Sequence, residues 1–145
     1  MQYRTGGFGR VIVAKAEHGD DLLQEIREIL SQEKIQSAWL MIIGALQEAS
    51  LVVGPETCSI PPQPVWRRFD DGREIIGMGT AFGEMGEPLV HLHASLGRGD
   101  EVLTGCIRQG TRVYLVVEII IMEILGVDAV RAFDNDTMLH LLSFL

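Results

Sequence analysis

The chain has 145 residues, a length that suits one domain with one substantial core, and residues 1–145 read as a single unit. Twenty acidic against twelve basic residues give a formal charge of −8. That balance argues against direct DNA binding by the isolated domain, because phosphate contacts by Lys and Arg supply most non-specific affinity.

In chain order, a glycine-rich lead at Gly6-Gly7-Phe8-Gly9 runs into a strand at residues 10–14. Gly19-Asp20-Asp21 then opens the clearest helix, with Asp21 and Gln24 spaced as a capping box. Leu22, Leu23, Ile26, Ile29 and Leu30 fall on one stripe of that helix, which should end near Glu33-Lys34. The apolar run at residues 38–43 predicts a strand buried on both faces. Gly44-Ala45-Leu46 then predicts a bend, so that residues 49–53 pair back on it. Four of the five prolines gather between Gly54 and Pro64, a surface loop in which Cys58 is incidental.

Further strands are expected at residues 74–81, 89–96, 102–107 and 112–121. The tail predicts two more, at 129–133 and 138–144, separated by the turn signal Asp134-Asn135-Asp136. Many strands and few helices define an α+β domain, a mostly antiparallel sheet with one or two helices packed on it. The longest apolar tract, residues 113–127, is interrupted by Glu118 and Glu123 and is too short to cross a bilayer comfortably. No membrane partner is expected. Hydrophobic residues make up 47% of the chain, and that surplus points to an oligomer interface. Two distant cysteines and no recognisable signal peptide make the reducing cytoplasm the expected compartment.

The chemistry concentrates in His91-Leu92-His93, followed thirteen residues later by Cys106. On a strand both histidines project to the same side, with Cα atoms roughly 6.5–7 Å apart. Imidazole and thiolate suit Zn²⁺, and three protein ligands leave a fourth position open. Whether Cys106 joins depends on the turn at residues 96–101. A two-residue loop Arg98-Gly99 sets Cys106 opposite His91. A loop Gly99-Asp100, or one spanning Arg98 to Glu101, sets it opposite His93. An odd-length loop turns the thiol to the other face. A plainer reading stands beside this one: two half-buried histidines bonded to neighbours, and a small cysteine filling the core.

Glu118, set among Val116, Val117, Ile119 and Ile120, is costly there unless paired. It could orient a metal-bound histidine or serve as a general base, or it could simply bridge Arg108 or Arg112. The structural role is preferred, and alternation predicts that Glu118 shares a face with Val116 and Ile120. His18 reads as a polar loop residue and His140 as one face of a tail strand. Arg98-Gly99-Asp100 reads as a turn, not a recognition tripeptide. The glycines around Gly77-Met78-Gly79 lack the context of a phosphate cradle. No Ser-His-Asp arrangement is recognisable.

His18-Gly19-Asp20-Asp21-Leu22, Ile42-Ile43-Gly44-Ala45-Leu46, His91-Leu92-His93, Gly105-Cys106 with Gly110, and Val117-Glu118 together resemble the plants-and-prokaryotes-conserved (PPC) domain. The resemblance runs in order from Arg10 to about Leu142, and it is to the single-domain prokaryotic type. It implies an α+β fold, a homotrimer, and a metal-competent cluster in which a Gly-Gly-His segment adds a third histidine. Here Cys106 stands at that third position and Thr104 replaces the first glycine. The AT-hook core Arg-Gly-Arg-Pro of the plant relatives is absent, so a DNA association implied by the family rests on those relatives. The expected protein is a small trimer with a zinc or other divalent-metal site, or a small-molecule ligand site, at His91, His93 and Cys106. Its expected role is regulatory, or DNA-associated by family analogy, with the balance leaning away from an enzyme. The alternative is a zinc-dependent hydrolase or hydratase.

Overall fold

The computed structural model describes residues 1–84 and 86–145. Strand β1 (Gly7–Glu17) leads into helix α1 (Leu22–Gln32). Strands β2 (Ser37–Pro55), β3 (Pro64–Phe69), β4 (Arg73–Glu84), β5 (Glu87–Arg98) and β6 (Glu101–Leu125) follow. Strands β7 (Ala129–Asp134) and β8 (Leu139–Phe144) close the chain. The expected α+β class holds with a single helix among the described residues.

Helix α1 forms where its stripe predicts. Leu22, Leu23, Ile26 and Leu30 are buried, and Asp21 is the N-cap, its carboxylate accepting from the Gln24 backbone N–H at 3.1 Å. The capping box is only half formed. The Gln24 side chain donates to Glu28 instead of reaching back. A second partner replaces it: the buried Thr111 hydroxyl donates to Asp21 at 2.8 Å and accepts from the Leu23 N–H at 3.1 Å. The helix start is thus tied to β6, and its first orphan donors are satisfied.

Two expectations about the sheet are corrected. Residues 49–53 do not pair back on 38–43, because β2 continues through Gly44 as one long strand. Gly44 sits at φ 145°, and a Cβ there would lie 2.3 Å from the Val116 carbonyl oxygen, so glycine lets β2 press onto β6 while it bends. The strands expected at 102–107 and 112–121 are likewise one, β6, whose register against β2 shifts repeatedly between Gly44 and Leu51. Bends, not turns, absorb the irregular residues.

Both long strands therefore appear twice across the sheet. The first half of β2 lies between β4 and the second half of β6, which carries β1 on its far side. The second half of β2 lies between β3 and the first half of β6, and β5 joins β6 to β4. The sheet curls almost to closure. Leu40, Ile42, Leu46, Leu51, Leu92, Leu96, Ile119 and Ile121 point to the concave side and bury α1.

The run at 38–43 is not covered on both faces. Ala38, Leu40 and Ile42 are buried, but Met41 is 37% and Ile43 45% exposed. Alternation has set one row inside and left the other on the convex surface. There Val13, Ile120, Met41, Met78 and His93 lie side by side across five strands.

Candidate metal site on the convex face

On β5, Leu92, Ala94 and Leu96 point into the core, so His91, His93 and Ser95 point outward. The connection to β6 is the two-residue loop Gly99-Asp100, with Arg98 paired to Glu101 and Gly99 at φ 57°. Of the alternatives the sequence left open, this one sets Cys106 directly opposite His93. Ser95 and Thr104 sit opposite each other one step along and share a hydroxyl hydrogen bond of 2.8 Å.

The two imidazole Nε2 atoms lie 3.1 Å apart, and the rings meet edge to face at 78°. Each of His91, His93 and Cys106 offers a ligand atom within 4.8 Å of the other two. Two nitrogens bound to one tetrahedral Zn²⁺ at about 2.0–2.1 Å stand roughly 3.3–3.4 Å apart. The imidazole pair is within about 0.3 Å of that spacing. The donor set, two imidazoles and a thiol with no carboxylate, suits zinc better than a hard oxygen-seeking ion.

Burial holds the His91 imidazolium down, to a pKa of about 4, helped by the positive charges of Arg131 and Arg108 and by His93. His91 is therefore neutral near pH 7 and does not need to shed a proton charge to ligate. Burial pushes the Cys106 thiol up, against the opposing pull of Arg108 and Arg131. Cys106 is 5% exposed, and its sulfur has only a long contact to the Ile107 carbonyl.

Arg131, from β7, joins the cluster without having been singled out by the sequence. Its Nη2 donates to the Thr80 hydroxyl at 2.9 Å and contacts His91 Nδ1 at 3.3 Å. Its guanidinium covers the Phe82 ring, and its Nε is buried without a partner. The only signal was a single cation inside an apolar tail strand, Ala129-Val130-Arg131-Ala132-Phe133. Arginine cannot accept, so His91 Nδ1 accepts and the ring carries its proton on Nε2, pointing at His93. A metal at His91 Nε2 must displace that proton, and Arg131 competes with it for the tautomer. Metal-bound histidines more often donate their second nitrogen to a carboxylate or carbonyl.

Glu118 is not brought to the cluster. It lies on the convex face with Val116 and Ile120, as alternation predicts, paired with Lys15 on one side and Ile43 on the other. Three strand spacings, roughly 14 Å, separate its row from β5. Arg112 bonds Glu48, which also holds Arg68. His18 is exposed and accepts from the Leu115 backbone N–H, and His140 pairs with Glu84. No helix among the described residues is long and apolar enough to cross a membrane.

The family model of the Plants and Prokaryotes Conserved (PCC) domain, the PPC name under another abbreviation, matches residues 3–125. Among solved structures, a metal-containing protein from Archaeoglobus fulgidus is similar at 25% identity and a TM-score of 0.86, covering 100% of this chain and 99% of that one. A plant- and prokaryote-conserved (PPC) protein from Pyrococcus horikoshii is similar at 24% identity and a TM-score of 0.85, with coverage of 100% and 99%. No curated protein matches this sequence. With the family model spanning β1 to the end of β6 and these folds matching throughout, the chain belongs to the plants-and-prokaryotes-conserved domain family.

Proposed function

We propose that this chain is the subunit of a small cytoplasmic homotrimer that holds a divalent metal, zinc by its donor set, at His91, His93 and Cys106. The metal serves ligand binding in a regulatory role. The observation that carries the reading is the convergence of three zinc-competent donors on one point of the convex face, from two strands fixed by a two-residue turn. The similar Archaeoglobus fulgidus protein, described as metal-containing, adds support. When bound, zinc would supply a Lewis-acidic centre with a position open to a ligand. The protein's part is to hold the neutral His91 ring, His93 and a shielded thiol in place.

The apolar row across β1, β6, β2, β4 and β5 supports the trimer, since exposed Val13, Ile76 and Met78 are costly in water and cheap in an interface. Two free cysteines, one of them buried, suit a reducing compartment. The hydrolase or hydratase alternative is weaker, because the acid the sequence offered as a base, Glu118, lies three strands from the cluster. Direct DNA contact is also weaker, given the charge of −8 and the pairing of Arg68 with Glu48.

The test is metal analysis of protein purified and then exposed to zinc, with His91→Ala and Cys106→Ala in parallel. Near-stoichiometric zinc in the native chain and a clear loss in both variants is the expected result. A native chain that retains no zinc would sink the reading.

A further inference from the structure

The cleft beside the cluster has a charge opposite to that of the chain. The whole chain carries twenty acids against twelve bases, yet none of the residues lining this cleft is Asp or Glu. It is a space of about 570 Å³, within the ordinary range for small-molecule sites. Its lining includes His91, His93, Cys106 and Arg108. Its walls are Val52, Val53, Pro55, Pro62, Trp66 and Leu139, brought from β2, the following loop, β3 and β8.

Arg108 follows Cys106 by two residues on β6 and is exposed; no carboxylate pairs with it among the described residues. Five of the ten arginines have such a partner: Arg10, Arg68, Arg73, Arg98 and Arg112 each hold Asp or Glu. Arg131 stands behind His91, half-buried and also without an acid, so a second uncompensated cation adds its field. An unpaired arginine on the lining of a largely apolar cleft that holds no acid suits an anion that brings its own apolar body.

We propose that this cleft binds a small organic monocarboxylate with an aryl or branched-alkyl body, its head group between Arg108 and the metal cluster and its body against Trp66 and Leu139. A single guanidinium fork matches a carboxylate in two parallel hydrogen bonds. A phosphate dianion asks for more donors, and neither a helix N-terminus nor a glycine-rich loop lines this cleft. The proposal deepens the reading of the cluster as a ligand-binding metal site and rests on it for the metal's share of the charge. The share from Arg108 does not depend on the metal.

The experiment titrates 3-phenylpropionate, its neutral amide and inorganic phosphate by calorimetry into zinc-loaded and chelator-treated native protein, Arg108→Gln and Trp66→Ala. Zinc content is measured on the same samples. The carboxylate should bind native protein at least about tenfold more tightly than the amide, the size of one lost charge-assisted hydrogen bond. Arg108→Gln should erase that preference while leaving zinc content and amide binding unchanged. Trp66→Ala should weaken acid and amide alike. Equal binding of acid and amide, tighter binding of phosphate, or no effect of Arg108→Gln overturns the proposal. Zinc retained without carboxylate binding refutes the ligand class and leaves the metal reading standing. Carboxylate binding that needs Arg108 in protein that takes up no zinc refutes the metal reading and leaves the ligand class.

Discussion

Cys106 is a shielded thiol that must become a thiolate to ligate, whereas His91 is already neutral near pH 7. The sign follows directly. A raised thiol pKa means that zinc binding at pH 7 expels a proton from Cys106, so affinity should climb by about tenfold per pH unit between 7 and 8. Competition against a chromophoric chelator at the two pH values measures it, and Cys106→Ala should bind more weakly and lose the slope. A flat profile in the native chain would mean that the sulfur is not a ligand. At this scale the histidine pair was legible, because alternation on one strand fixes their common side. Cys106 was legible only as a set of alternatives, since one residue more or less in the turn changes its partner or its face. Arg131 was not legible at all. It comes from a strand 38 residues beyond His93, and nothing local says which sheet edge that strand meets.

Helix α1 shows what element-level patterning can and cannot specify. The stripe and the Asp21 cap are written in consecutive residues and formed as expected. Thr111, which completes the cap from β6, lies 88 residues from the Leu23 N–H it accepts from. Thr111→Val preserves shape but strands that buried N–H and removes a donor to Asp21. The expected cost is about 1–3 kcal/mol of folding stability, read from urea unfolding. No change would show that water takes the hydroxyl's place. The C-terminal end of the same helix is held by Arg10, which donates to the Glu33 carbonyl and pairs with Glu33 and Glu123. Arg10 pulls the Glu123 carboxyl down to about 2, so the pair's contribution is present above the unfolded carboxylate range and fades as pH falls through 4 toward 2. Glu123→Gln should lower the melting temperature at pH 7 and leave it unchanged near pH 2. A difference that persists in acid would assign the effect to packing.

For the whole molecule, the convex apolar row is the feature that demands explanation. Ile76 is 64%, Met78 61% and Val13 74% exposed on a single chain, and all three lie on the face that carries His93. The proposed trimer, with this row in its interface, predicts a solution mass near three times the chain's 16.0 kDa, and Ile76→Glu should shift it toward the monomer. Light scattering on the native protein decides the matter, and a monomeric native chain would remove the trimer. The candidate metal site borders this row, so assembly and ligand binding would be neighbours on one surface.

By itself the sequence determined the class of fold, the helix and its buried stripe, most strand positions, and the side on which His91 and His93 stand. All of these follow from local periodicity, capping and turn chemistry, which act over a few residues. Tertiary structure alone decided that β2 and β6 are single bent strands, because bulges and a close approach at Gly44 depend on what lies across the ladder. It also decided that Cys106 faces His93, that Glu118 does not reach the cluster, and that Arg131 does. Those outcomes rest on pairing between distant segments, where the free energy belongs to the contact and not to either stretch of chain.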